Sequence, residues 1–148
     1  QRLAEHKALS LSRYPSPDPL IIGSDQVAAC DNRLLGKPGT KERAREQLTF
    51  CSGKHIVFFT GLALCRPSQQ HLESCVVTVE VSLRRLSDAE IERYVDRDQP
   101  LDCAGSFKWE ALGITLFRAI SGDDVTALEG LPLIELSRRL RNLGFQLP

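Results

Sequence analysis

Two extended runs, His55 to Leu64 and Leu72 to Leu83, constrain this chain more than any other feature. The first carries Ile56-Val-Phe-Phe59 and the second Cys75-Val-Val-Thr-Val-Glu-Val81, both rich in β-branched residues that suit a pleated surface. Pro67 to Gln70 fits the connection between them. Leu20-Ile-Ile22 reads as a further buried strand, followed by a short extended piece through Ala29 and a turn at Asp31-Asn32. Ile114 to Ile120 reads as a strand near the end of the chain.

Helical patterns alternate with these runs. Residues 2 to 13 have helical composition, with Leu3, Ala4, Ala8 and Leu11 on one face, and Tyr14-Pro-Ser-Pro-Asp-Pro19 breaks that helix. Thr40 is an N-cap ahead of Ala44, Leu48 and Cys51, and Gly53 stops the helix. Ser87-Asp-Ala-Glu90 is a capping box before Ile91, Tyr94 and Val95, and Pro100 closes that element. The last helix starts near Pro132, aligns Leu133, Leu136, Leu140 and Leu143, and ends before Gly144. The expectation is one domain over 1–148, α/β or α+β with a mixed sheet and no internal boundary.

Lys plus Arg and Asp plus Glu number 19 each, so the formal net charge is zero and no basic face for nucleic acid or membrane is expected. The apolar stretches are too short to span a bilayer. Five irregularly spaced cysteines, Cys30, Cys51, Cys65, Cys75 and Cys103, contain no CxxC pair and read as reduced thiols of a cytoplasmic protein. The chain begins at Gln1 and has no methionine, which reads as a processed chain or a piece of a longer one. His6, His55 and His71 are far apart and are read as structural or exposed.

Three stretches carry chemistry. Gly23-Ser-Asp-Gln26 follows a strand, where a carboxylate beside a glycine is common in nucleotide sites; an Asp satisfying a turn gives the same pattern. Gly36-Lys37-Pro38 holds an ammonium ahead of a helix N-terminus, a placement that suits a phosphate and equally a solvated lysine. Cys103-Ala-Gly-Ser-Phe-Lys-Trp-Glu-Ala-Leu-Gly113 gathers a Lys, aromatics and a Glu without clear period. It can shape a pocket with Lys108 toward phosphate and Glu110 toward a base edge, or be an ordinary loop with Phe107 or Trp109 in the core.

Lys7-Ala8, Ile22-Gly-Ser-Asp-Gln26, Gly36-Lys-Pro38, Thr60-Gly61, Cys103-Ala-Gly-Ser106 and Gly130-Leu-Pro-Leu133 stand in the order found in Maf proteins, and over nearly its whole length the chain resembles that family. Asp25-Gln26 and Phe107-Lys108-x-Glu110-x-x-Gly113 resemble the branch that hydrolyses 7-methyl-GTP. The branch acting on dTTP and UTP tends to carry Asp-Thr, and a Gln where Glu110 stands. The resemblance implies an elongated α/β body with a mixed sheet, flanking helices and a central cleft, related in shape to inosine triphosphate pyrophosphatases and often dimeric. It implies a nucleoside triphosphate pyrophosphatase that uses a divalent cation, Mg2+ or Mn2+. Carried over by position, Asp25 is the proton acceptor and a metal ligand, Gln26 and Glu110 are specificity residues, and Lys7, Lys37 and Lys108 face the triphosphate. The family's opening strand, its Ser-x-Ser-x-x-Arg loop and a Val-Asp-Glu segment would lie upstream of Gln1. Two alternatives stand beside this reading: a nucleotide-binding regulatory protein linked to cell division with little hydrolysis, and a pyrophosphatase preferring dTTP or UTP.

Overall fold

The computed structural model describes residues 1–11 and 18–148. In chain order the elements are α1 (Arg2–Ser10), β1 (Ile21–Cys30), β2 (Arg33–Leu35), α2 (Lys41–Cys51), β3 (His55–Arg66), β4 (His71–Leu83), α3 (Asp88–Asp98), β5 (Phe117–Ser121) and α4 (Leu133–Asn142). Short 3-10 turns occupy Pro67–Gln69, Ala104–Ser106, Leu112–Leu116 and Val125–Glu129. The α/β class is as expected. The tail of the first helix beyond Leu11, and Tyr14 to Pro17 of the expected break, lie outside the described residues.

The strands form one sheet in the order β2-β1-β3-β4-β5. Where a mixed sheet was expected, the sheet is antiparallel. Asp31 and Asn32, with φ of 47° and 64°, make the tight turn that folds β2 back on β1, pairing Cys30 with Arg33. The four residues Pro67 to Gln70 join β3 to β4, too few for the crossover a parallel pair requires. Ile21 clusters with Ala63 and Cys65 while Gln26 bonds Thr60, so β1 and β3 also run opposite ways. β5 pairs antiparallel with β4, Val81 opposite Ile120. The strand expected from Ile114 begins only at Phe117. Arg84 binds the carbonyls of Thr115 and Leu116 from its Nε and backbone N, at 2.8 and 3.0 Å, while Leu112–Leu116 coils.

Contacts divide the chain into two compact units, each described by itself. One comprises Gln1–Gln26, Phe59–Thr78 and Asp123–Pro148; the other comprises Val27–Phe58 and Val79–Gly122.

In the first unit, Ala4 and Ala8 are fully buried with Ile21, Ala63 and Cys65. Leu3 and Leu11, expected on the same face, are each 54% exposed. The face is narrow because α1 lies directly on backbone, where only small residues fit. A methyl carbon added at Gly23 would overlap the Ala4 carbonyl oxygen and lie 2.7 Å from the Ala8 nitrogen. Leu136 of α4 packs with Leu62 and Leu64, joined by the half-buried Leu140 and Leu143. Leu133 falls outside this stripe and is exposed.

In the second unit α2 and α3 bury their apolar stripes, Ala44, Leu48 and Cys51 on one, Ile91, Tyr94 and Val95 on the other. Thr40 caps α2 by accepting from Arg43 N. Phe107 plugs the core edge-on to Phe58 and Phe117, with ring centres 5.5 and 4.8 Å away. No helix among the described residues is long and apolar enough to cross a membrane.

The α3 capping box carries a pH prediction. Glu90 accepts from Ser87 N at 2.8 Å and from Arg84 Nη1 at 2.7 Å. The Ser87 N–H first, then Arg84, hold its carboxyl down at about 2 instead of the ordinary 4.5. A depressed folded-state value stabilises the fold fully above the unfolded value and ceases to do so as pH falls through the folded one. Glu90→Gln is expected to lower the thermal midpoint at neutral pH. The gap from the original chain should close between about pH 4.5 and 2. Paired melts across that range check it.

Candidate functional site

The first unit gathers Lys7, Asp25 and Gln26. Asp25 sits mid-strand in β1, with its side chain 23% exposed. Lys7, one turn beyond the buried Ala4 on α1, donates from Nζ to Asp25 Oδ1 at 2.6 Å and to the Ser24 carbonyl at 2.9 Å. An ion pair this exposed adds little stability, so its significance is positional: it orients the carboxylate and leaves Oδ2 for a ligand. Ser24 Oγ lies 2.8 Å from the Gly61 carbonyl and 2.6 Å from that of Gly130, donating one proton between two acceptors. This ties β1 to β3 and to the Gly130-Leu-Pro segment.

Gln26 is engaged inside the same unit. Its Nε2 donates to the Ala127 carbonyl at 2.6 Å and to Thr60 Oγ1 at 3.1 Å, with the Leu128 carbonyl at 3.4 Å. Thr60, fully buried, donates in turn to Ala127 O at 3.0 Å. Two carbonyl acceptors set which way the amide faces, and only Oε1 remains for an outside partner.

The second unit holds Lys37, Lys108 and Glu110. Lys37 is exposed on the loop before α2; buried Pro38 and a Gly39 N–H bond to the Leu101 carbonyl at 2.9 Å pin that loop. Lys108 N donates to Tyr94 Oη at 3.0 Å, and Lys108 Nζ donates to the Asp98 carbonyl at the end of α3 at 3.1 Å. A cation there also meets the negative end of the helix dipole. Glu110 is exposed. Gly113 N donates to Lys108 O at 2.9 Å, and any side chain at Gly113 would overlap that carbonyl. Asp102 is held below the usual carboxyl range by its own backbone N–H, then by Cys103, and the charges of Lys108 and Lys37 lower it further.

All five cysteines are free, and burial raises Cys103 to about 11, which makes it a poor nucleophile. No three His, Cys, Asp or Glu side chains among the described residues form a metal cluster. Asp25 alone supplies one carboxylate oxygen. That donor set fits a hard cation shared with substrate phosphates, which needs only one or two protein carboxylates.

Thr60, Ser24 and the Tyr94–Lys108 contact had no assigned role in the sequence. Neither did Asp124, buried and accepting from Glu135 N at 2.9 Å and Thr126 N at 3.2 Å. A local signal exists only for Asp124, an Asp two residues before a Thr at a turn start.

Within the first unit a helix lysine orients the β1 carboxylate of Asp25, and within the second Gly113 locks the turn that carries Lys108 and Glu110. A family model described as "Maf-like protein" matches residues 1–143. A "7-methyl-GTP pyrophosphatase" from Xanthomonas axonopodis pv. citri is 55% identical over 148 residues, covering 99% of this chain and 76% of that protein. One of the same name from Pseudomonas aeruginosa is 48% identical, covering 100% and 77%. Another from Xanthomonas oryzae pv. oryzae is 52% identical, covering 99% and 76%. The chain belongs to the Maf family.

Proposed function

We propose that this protein is a nucleoside triphosphate pyrophosphatase acting on 7-methyl-GTP, releasing 7-methyl-GMP and pyrophosphate. The observation that carries the substrate is identity of about half to relatives bearing that name, across essentially the whole chain. The chemistry is supported by the Lys7–Asp25 geometry. Water attacks the α-phosphorus, the bond from that phosphorus to the bridging oxygen breaks, and pyrophosphate leaves with that oxygen. Asp25 accepts the proton of the attacking water. Lys7 keeps the carboxylate aimed, and Lys37 and Lys108 offset the phosphate charge that repels the nucleophile. Lys108 must leave the Asp98 carbonyl to do so. A divalent cation, Mg2+ or Mn2+, when held by Asp25 and the phosphates, would neutralise further charge.

Glu110 accepts hydrogen bonds from the guanine N–H edge, and its charge complements the positive methylated ring. Gln26 Oε1 is the remaining polar atom at the second specificity position. This reading includes a cytoplasmic setting, where five thiols stay reduced, and carries over the family's homodimer.

Product analysis tests the reaction: equal monophosphate and pyrophosphate are expected, and binding without turnover would leave a nucleotide sensor instead. Glu110→Gln is expected to change preference while hydrolysis persists. Loss of a charge-assisted contact costs about 1.5–3 kcal/mol against 7-methyl-GTP. A panel including dTTP and UTP checks this; an equal loss on every substrate would remove Glu110 from base recognition.

A further inference from the structure

Helix α3 divides its charge between two flanks of the second unit. On one flank, Asp96 lies 2.9 Å from Lys41 and 3.3 Å from Arg45, and Glu92 lies 3.8 Å from Arg45, so acids there meet the bases of α2. On the other flank, Arg93 and Arg97 stand one turn apart and line a cavity of about 210 Å³ with Arg84, above Tyr94, Leu112 and Leu116. The one carboxylate in its wall is Glu90, already engaged by Arg84 and by Ser87 N. Neither Arg93 nor Arg97 has an acidic partner within 4.0 Å among the described residues. Three guanidiniums therefore face one committed carboxylate.

Like charges one turn apart weaken a helix unless a counter-charge lies between them. The floor is firm: Leu116 is buried, and the nearly buried Tyr94 is held through its hydroxyl by Lys108 N. Guanidiniums present several N–H groups in a planar fork that matches phosphate oxygens. The cations converge on one cavity instead of forming a stripe, and the chain's formal net charge is zero. The fitting partner is thus a compact polyphosphate and not a nucleic-acid backbone, which requires extended positive charge.

We propose that this cavity is an anion site in its own right, binding a small polyphosphate through Arg93 and Arg97 with Arg84 behind them. The ligand is inorganic pyrophosphate or the phosphate tail of a nucleotide. The proposal uses none of the residues assigned to hydrolysis.

The test follows the side-chain Nε–H signals of Arg93 and Arg97 by NMR at constant ionic strength. The probes are inorganic pyrophosphate, a non-hydrolysable nucleoside triphosphate and a single-stranded oligonucleotide. Saturable movement with either small probe is expected, and the one saturating at lower concentration is the ligand form. The response should persist in Asp25→Asn, which separates this site from the catalytic reading. In an Arg93→Gln/Arg97→Gln double variant the binding should weaken at least about tenfold, read by calorimetry, since both changes lie on an exposed flank. Movement no larger than chloride produces would overturn the proposal. So would tighter binding of the oligonucleotide than of either small probe, which would assign the flank to nucleic acid.

Discussion

Asp25→Asn is expected to reduce turnover of 7-methyl-GTP on the order of a hundredfold or more while leaving the fold in place. The amide keeps the shape of the carboxylate, and its oxygen can still accept from Lys7, so the local backbone has no reason to move. It cannot accept the proton of the attacking water, and it is a poor cation ligand. The ion pair itself is exposed, at 57% and 23%, and such pairs contribute about 0–1 kcal/mol. A small change in thermal midpoint beside a large loss of rate at saturating Mg2+ is the expected pattern. A near-normal rate in the Asn variant would rule out Asp25 as the base.

Gly23→Ala is expected to cost about 3 kcal/mol of stability, the upper end for overpacking, because what it strikes is backbone. The new carbon overlaps the Ala4 carbonyl oxygen and comes within 3.0 Å of Ala8 Cβ, and neither can rotate away. Relief requires α1 to lift from β1. Lys7 then leaves Asp25, so activity falls with stability. Urea unfolding checks this, with Gly36→Ala as the control, since nothing lies within 4 Å of a carbon added there. A Gly23→Ala protein as stable as the control would show that α1 does not need its close seat. The missing side chain at Gly23 is room for a helix.

The elements legible from sequence were those whose signals lie within a few residues. Thr40 accepts from Arg43 N as a cap should, and Ser87 and Glu90 close their box on each other. Asp31-Asn32 turns with both φ positive. The Ala44, Leu48, Cys51 and Ile91, Tyr94, Val95 stripes are buried as their spacing required. The motif order likewise pointed to the Maf family, to which the chain belongs. Leu3, Leu11 and Leu133 failed as core residues because periodicity names a face but not what lies opposite. Against α1 lie two glycines, and there only alanines are wanted.

The polar contacts show the same division more sharply. Residue type and position marked Asp25, Lys37, Lys108 and Glu110 as capable of phosphate and base chemistry, and the family resemblance added Lys7 and Gln26. Only tertiary structure decided that Lys7 meets Asp25 across 18 residues, and that Gln26 gives its amide to a carbonyl 101 residues away. It also decided that Lys108 rests on the carbonyl end of α3. Caps, turns and stripes follow from local backbone geometry, which a short sequence specifies. A charged side chain's partner depends on which distant backbone groups the packed sheet leaves within reach, and that emerges only when the elements meet.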